Sequence, residues 1–207
     1  MINYFLFGTI AYLLGSIPTA IWIGKLRYGV DIREHGSKNA GATNTFRVLG
    51  KKPGIIVLCI DIVKGFIATF LPVFFLLYTE TPETVVNIQL VAGVFAVLGH
   101  ILPIFEHFKG GKGVATSLGV IIGIHPPAAG ICIVLFLVVF LISHYVSLGA
   151  ICVALAFPFI VEFAFHNDFF WLRVFSIVLA SSVLFSHRKN IKRLWNGEES
   201  KMNLFKK

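Results

Sequence analysis

Apolar residues run in long blocks along this chain, and only short polar stretches separate them. A helix that crosses a bilayer needs about 20 consecutive apolar residues, somewhat fewer where neighbours bury it. Residues 4–24 meet that pattern and end at Lys25 and Arg27. A second block, 54–78, opens on Pro53-Gly54 and carries Asp61 and Lys64 inside it. An acidic link with Glu80 and Glu83 follows, then a third block at 88–105. The FEHFKGGKG connector leads to a brief apolar helix, 114–124, closed by His125-Pro126-Pro127. That helix is too short to cross at full thickness, so it is read as tilted or bent and buried among others. Blocks at 128–143, 147–165 and 169–186 follow, and a basic tail comes last. No repeat, low-complexity tract or boundary interrupts them, so residues 1–207 read as one all-α, membrane-integral domain. The first block has neither a basic leader nor a small-residue cleavage site, and it reads as a retained span.

Composition agrees: 57% of residues are hydrophobic and 14% charged, where a soluble domain carries roughly 25% charged. The placement of the cations sets an orientation. Of eighteen Lys and Arg, seven lie in 25–52, two in 106–112 and seven from residue 187 onward. The Glu80/Glu83 link, the His-Pro-Pro turn and the His166–Asp168 turn carry none. Basic segments stay cytoplasmic, which places the N-terminus outside and the C-terminus inside. The three basic segments share a face only if 114–124 crosses, making seven transmembrane helices. Hydropathy alone supports five or six; the seventh rests on parity. Cys59, Cys132 and Cys152 sit inside apolar blocks with no CxxC pairing, so they read as core residues. No spacing resembles a zinc or iron set. No metal, cofactor or nucleic-acid partner is expected.

The longest polar run, Asp31 to Arg47, reads DIREHGSKNAGATNTFR. Small residues (Gly36, Ala40, Gly41) alternate with Ser37, Asn39, Thr43 and Asn44, flanked by Arg33 and Arg47. Such a loop lets backbone N–H groups approach an anionic oxygen, and Arg grips phosphate with a planar fork. It reads as a phosphate-handling loop at a membrane surface. A second candidate is Lys109-Gly110-Gly111-Lys112-Gly113, which opens a helix with free N–H groups, the positive dipole end and two lysines. It is not a Walker A loop, because Gly113 follows the Lys and His107 stands five residues before it. By itself it could equally be a basic interfacial turn. The third is the tail opening, where His187, Asn190, Ile191 and Leu194 fall on one helical face. Anionic lipid explains its Lys and Arg but not His187 or Asn190.

Three stretches carry a family resemblance: GSKNAGATN with Arg47, GHILPIFEHFKGGKGVAT from Gly99, and SHRKNIKRLWNGEE from Ser186. They resemble the three motifs of the bacterial acyl-phosphate:glycerol-3-phosphate acyltransferases. Asp61, Lys64 and Gly65 match an Asp-x-x-Lys-Gly that the family tends to carry in its second span. Lys38 and Ala40 depart from the Gly and Pro common there. The resemblance implies transfer of a fatty acyl group to the 1-hydroxyl of sn-glycerol-3-phosphate, giving lysophosphatidic acid and phosphate. It places that step at the cytoplasmic face of a bacterial cytoplasmic membrane, as the first acylation of phospholipid synthesis. It implies Ser37 and Arg47 as the essential pair of the first loop, and the glycines around Lys112 as the glycerol-phosphate site. It implies a role in activity for His187 and Asn190, and a structural tail glutamate, Glu198 or Glu199. Gly36, Asn39, Gly41, Thr43, Asn44, Lys109 and Lys112 complete the expected phosphate contacts, with Ser147 at the rim.

The chemistry fits these residues. Two phosphate-bearing substrates need two anion cradles, and two basic glycine-rich loops are present. An acyl-phosphate is a mixed anhydride with a good leaving group, so positioning and oxyanion donors count for most. Asp61 and Lys64, three apart on one face, read as a structural ion pair, since intramembrane charges face inward. No His has Asp five residues later, so a His-x4-Asp mechanism is absent. The proton of the attacking hydroxyl could go to His187 or to the substrate's own phosphate. An anion transporter or a lipid-binding scaffold are the rival readings. A transporter would want a polar path to the midplane and a repeat, and a scaffold would not want the amide and hydroxyl pattern.

Overall fold

The structure, a computed structural model, describes residues 1–164 and 169–202. All regular structure among the described residues is helical. In order these are α1 Ile2–Gly15, α2 Thr19–Tyr28, α3 Ala42–Leu49, α4 Lys51–Leu76, α5 Pro82–Ile101, α6 Val114–Ile124, α7 Pro126–Ser143, α8 Val146–Phe159, α9 Phe170–Ser186 and α10 Arg188–Trp195. The chain divides into two compact units, Met1–His125 and Pro126–Lys207.

In the first unit, α1 packs on α5, and α4 packs on both α5 and α6. Small residues set these contacts, because lipid offers no hydrophobic drive between helices and close backbone approach must supply it. Gly15 lies on the Ala96 backbone and Gly99 on the Tyr12 carbonyl. Gly65 lies on the Thr116 carbonyl and Gly119 on that of Ile62. A Cβ at any of the four would force the helices apart. At the far end of the unit, Gln89 of α5 donates from Nε2 to the carbonyls of Thr69 (3.0 Å) and Gly123 (3.2 Å), tying α4 and α6 together.

The first apolar block is not one continuous helix. Pro18 has no N–H to give the carbonyl four residues back, so the helix breaks at Ser16–Pro18 and resumes as α2. Within the break the Ile17 carbonyl lies outside the helical ladder and accepts the Thr19 N–H at 3.0 Å. α1 and α2 still make a single 27-residue stretch, Ile2–Tyr28, apolar enough to cross a membrane. Lys51–Leu76, Pro82–Glu106, Pro126–Ser143 and Val146–Phe163 also qualify, which makes five among the described residues. α9 and α10 qualify only together, and they bend by 60° at their junction. α6 occupies the expected 114–124 with 11 residues, short as anticipated.

In the second unit, α8 packs between α7 and α9. Pro158 removes a backbone donor near its end, and the chain continues as one π-helical turn over Ile160–Ala164. Glu162 in that turn meets Arg173 of α9, Oε2 to Nε at 2.6 Å, which gives the glutamate a partner within the unit. The turn assigned to His166–Asp168 lies outside the described residues.

Candidate active site

The first polar loop is held by its own side chains. The Asp31 carboxylate caps a short 3-10 turn, Ile32–Glu34, accepting the Arg33 N–H at 3.0 Å. The Arg33 guanidinium turns back to Asp31 (2.7 Å) and reaches Glu106 (2.9 Å), and Lys25 stands 3.3 Å from Asp31. The expectation that Arg33 grips phosphate is therefore corrected: its fork is spent on two carboxylates. Its hydrogen bond keeps the Asp31 carboxyl well below the usual carboxylate range, against the opposing effect of burial. Asp31 in turn raises Arg33. Both stay charged near neutrality, and the pair anchors the loop to the connector that carries Glu106.

Asn44, expected to touch phosphate, is fully buried. Its Nδ2 donates to the carbonyls of Ile32 (2.7 Å) and His35 (3.1 Å), while Oδ1 accepts the Ser37 N–H at 2.8 Å. With both amide hydrogens committed, Asn44 shapes the loop rather than binding a ligand. Gly36 has φ +58° and lies against Asn44 Oδ1, so the position excludes a side chain twice over. Lys38, where the family commonly has Gly, also sits at φ +58°, a left-handed conformation costing about 1 kcal/mol for a residue with a Cβ. Ser37 and Asn39 are partly exposed beside it, and Asn39 packs on Gly41, the residue before α3. Thr43 and Arg47, four apart on α3, share a face, with Arg47 exposed.

The second loop folds back on the end of α5. Gly110 N–H donates to the Ile101 carbonyl (3.2 Å) and Gly111 N–H to that of His100 (3.1 Å). These two N–H groups were expected to face a phosphate; instead they close the loop. The glycines are needed for approach. Gly110 lies on the His100 carbonyl, and Gly111 lies on the His100 imidazole and the Ala40 carbonyl. Gly113, at φ +81°, leads into α6, whose first-turn N–H groups have no intrahelical acceptor. Lys109 is exposed and Lys112 half-buried at this end.

Below the loops lies a buried charged cluster. Lys64 Nζ is 2.8 Å from Asp61 Oδ1 and donates to the Ile17 carbonyl in the helix break, at 2.9 Å. Thr19 Oγ1 donates to the same Asp61 oxygen at 3.1 Å. The pair thus braces the broken first span, as a structural ion pair should. His100 Nδ1 stands 3.7 Å from Asp61. A cavity of about 10 Å³ is lined by Asp61, Lys64, His100, Ala40, Gly110 and Gly111, among others. Sequence reasoning left His100 without a role, although a histidine closing an apolar span, eleven residues before Gly111, was a legible signal.

The second unit holds the third motif. His187, at the junction of α9 and α10, is buried, and its Nδ1 lies 2.8 Å from the Val183 carbonyl. Glu199 is a hub: Oε1 accepts from Ser147 Oγ (2.8 Å) and Asn190 Nδ2 (2.7 Å), and Oε2 from Arg193 Nε (2.8 Å). Glu198 is exposed, so the structural tail glutamate is Glu199. Ser147 and Asn190, expected at the substrate, hold this carboxylate. The face anticipated on α10 is half inward, with Asn190 buried and Ile191 exposed. Among the described residues no group of three His, Cys, Asp or Glu is placed to hold a metal ion.

The chain is similar to known proteins. The profile of a family described as glycerol-3-phosphate acyltransferase matches residues 5–197. A glycerol-3-phosphate acyltransferase of Chlorobaculum tepidum is 41% identical over the full length of both chains. One from Listeria welshimeri is 46% identical, covering 97% of this chain and 98% of its own. Among solved structures, the crystal structure of PlsY (YgiH), an integral membrane glycerol 3-phosphate acyltransferase, in its glycerol 3-phosphate form superposes with a TM-score of 0.87. It shares 37% identity and covers 98% of this chain and 99% of its own. The lysophosphatidic acid form gives a TM-score of 0.84 at 36% identity, covering 97% and 95%. Helices apolar enough for a bilayer, two basic glycine loops pinned together, and a profile that covers the first two motifs and most of the third have one common reading: the chain belongs to the glycerol-3-phosphate acyltransferase family, as a membrane-integral, all-α enzyme of phospholipid synthesis.

Proposed function

We propose that this chain moves a fatty acyl group from acyl-phosphate to the 1-hydroxyl of sn-glycerol-3-phosphate, releasing lysophosphatidic acid and inorganic phosphate. The observation that carries the reading is the meeting of the two basic glycine loops at Gly111 and Ala40, because both substrates bear phosphate. Relatives solved in glycerol 3-phosphate and lysophosphatidic acid forms support it. The hydroxyl oxygen attacks the acyl carbonyl carbon, the carbon–oxygen bond to phosphate breaks, and phosphate leaves. Ser37, Arg47, Lys109, Lys112 and the first turn of α6 supply cations and donors for the phosphates. His187 and Asn190 serve activity by motif. Purified protein given labelled glycerol phosphate is expected to form a lipid product with acyl-phosphate and none with acyl-coenzyme A. Sustained turnover with acyl-coenzyme A, in preparations free of acyl-phosphate, would refute the donor.

The reading carries a topology of seven spans with the active face in the cytoplasm. In a background lacking Cys59, Cys132 and Cys152, Pro82→Cys is expected to react with an impermeant thiol reagent only from outside. Ser200→Cys is expected to react only from inside. Labelling of both from one face would remove the odd number of crossings.

Gly111→Ala and Gly113→Ala are expected chiefly to raise KM for glycerol phosphate, because the first intrudes on His100 and Ala40 and the second strains a φ of +81°. Steady-state kinetics with varied glycerol phosphate checks this. A normal KM in either variant would return that glycine to an interfacial turn.

A further inference from the structure

We infer that His100 is a positioning residue for this reaction, fixing the spacing of the two phosphate loops against the broken first span; this rests on the proposed glycerol-phosphate role of the second loop. The contacts form one chain. The Ile17 carbonyl, in the break of the first span, takes Lys64 Nζ at 2.9 Å, and Lys64 pairs with Asp61 at 2.8 Å. Asp61 faces His100 Nδ1 at 3.7 Å. The other edge of the His100 ring, Nε2, lies against Gly111, whose other near neighbour is the Ala40 carbonyl. The His100 carbonyl also accepts the Gly111 N–H at 3.1 Å. His100 therefore holds the second loop through both backbone and ring, and the ring fills the volume that a side chain on Gly111 would occupy.

A span end could be closed by any apolar residue of this size. A histidine buried to 8% exposure must instead be held by polar partners, or its burial is costly. Here Asp61 faces one nitrogen, and the second loop lies against the other. The small cavity between the ring, Lys64 and Gly110–Gly111 has the polar lining that a single ordered water requires. Pro103 beside it keeps the α5 end from continuing as a helix, so the loop returns over the ring. The ring thus sets where Gly111 sits, and Gly111 sets how the two lysines beside it present themselves to an anion. It touches no reacting atom in this account.

The test uses the full chain in detergent, with acyl-phosphate and glycerol phosphate as substrates. His100→Ala, His100→Gln and the double variant His100→Ala/Gly111→Ala are compared with Gly111→Ala and the unmodified protein. His100→Ala is expected to raise KM for glycerol phosphate about tenfold or more, as displacement of a positioned group does. kcat should stay within about threefold and KM for the acyl donor should not move. His100→Gln, which keeps a polar end of similar reach, should recover part of the loss. Because ring and Cβ compete for one space, the double variant should be no worse than the poorer single, whereas independent effects would multiply. An unchanged KM in His100→Ala, or a multiplicative double variant, overturns the inference and leaves the proposed function standing. So does loss of folding or of kcat in both His100→Ala and His100→Gln, which would make the residue merely structural. Absence of any turnover in the unmodified protein removes the proposed function and the inference with it.

Discussion

Glu199→Ala is expected to abolish acyl transfer and to destabilise the unit Pro126–Lys207, while Glu198→Ala leaves both near normal. Glu199 Oε1 accepts from Ser147 and Asn190, and Oε2 from Arg193, all within 2.8 Å. Ser147 and Asn190 are themselves buried, so losing the carboxylate strands two donors where water does not reach. Each stranded donor costs about 1–3 kcal/mol. Arg193 is 37% exposed and can be rehydrated, so its lost pairing adds little. A total of about 2–6 kcal/mol is expected for the variant. The hub also ties the start of α8, which carries Ser147, to α10, which follows His187 directly. Its loss therefore moves the third motif as well as weakening the unit. Glu199→Gln should fare poorly too, because an amide nitrogen would turn one donor toward another. Thermal unfolding in detergent beside turnover separates the outcomes. Equal behaviour of Glu198→Ala and Glu199→Ala would contradict the assignment of the hub.

Local patterns were legible here, and long-range pairings were not. The 114–124 helix is bounded by Gly113 before it and His125-Pro126 after it, punctuation that a sequence displays directly. The structural ion pair of Asp61 and Lys64 was equally readable, since three residues on a helix bring two charges to one face. The break at Ser16–Pro18 had its signal in Pro18, but the apolar block 4–24 is continuous in hydropathy and hid it. Arg33 looked like a phosphate ligand although Asp31 stands two residues before it; its second acidic partner, Glu106, lies 73 residues away, beyond any local spacing. Asn44 looked like part of an anion cradle although its partners, Ile32, His35 and Ser37, all lie within twelve residues. Amides suit both ligand binding and loop bracing, and only its burial decides for bracing. The glycines of the second loop were singled out for free N–H groups facing a phosphate. What they approach is His100 and Ala40, and Gly110 and Gly111 turn their N–H groups back onto α5.

His187→Gln is expected to lower kcat by roughly 10², the size of loss that misplaced substrate produces, yet to keep the acidic limb of the pH–rate profile. Histidine is the obvious base for a hydroxyl nucleophile, and its position at the junction of α9 and α10 would suit one. Its surroundings argue otherwise. Nδ1 lies 2.8 Å from the Val183 carbonyl, which can only accept, so Nδ1 carries the proton and the ring is held by a neutral partner. The carboxylate that steadies an imidazolium in serine-hydrolase triads has no counterpart in that hydrogen bond. The substrate meanwhile brings a phosphate whose second pKa is about 6 by analogy with protein-bound phosphoesters. In the proposed reaction that phosphate, folded back on its own 1-hydroxyl, takes the proton as the oxygen bonds to the acyl carbon. In the same proposed reaction His187 orients the substrate. Phosphonate analogues of glycerol phosphate, with a shifted second pKa, distinguish the two bases. With the substrate as base, the acidic limb of kcat moves with each analogue and survives in His187→Gln at reduced rate. With the histidine as base, the limb stays fixed across analogues and disappears in His187→Gln, and the substrate-assisted step falls.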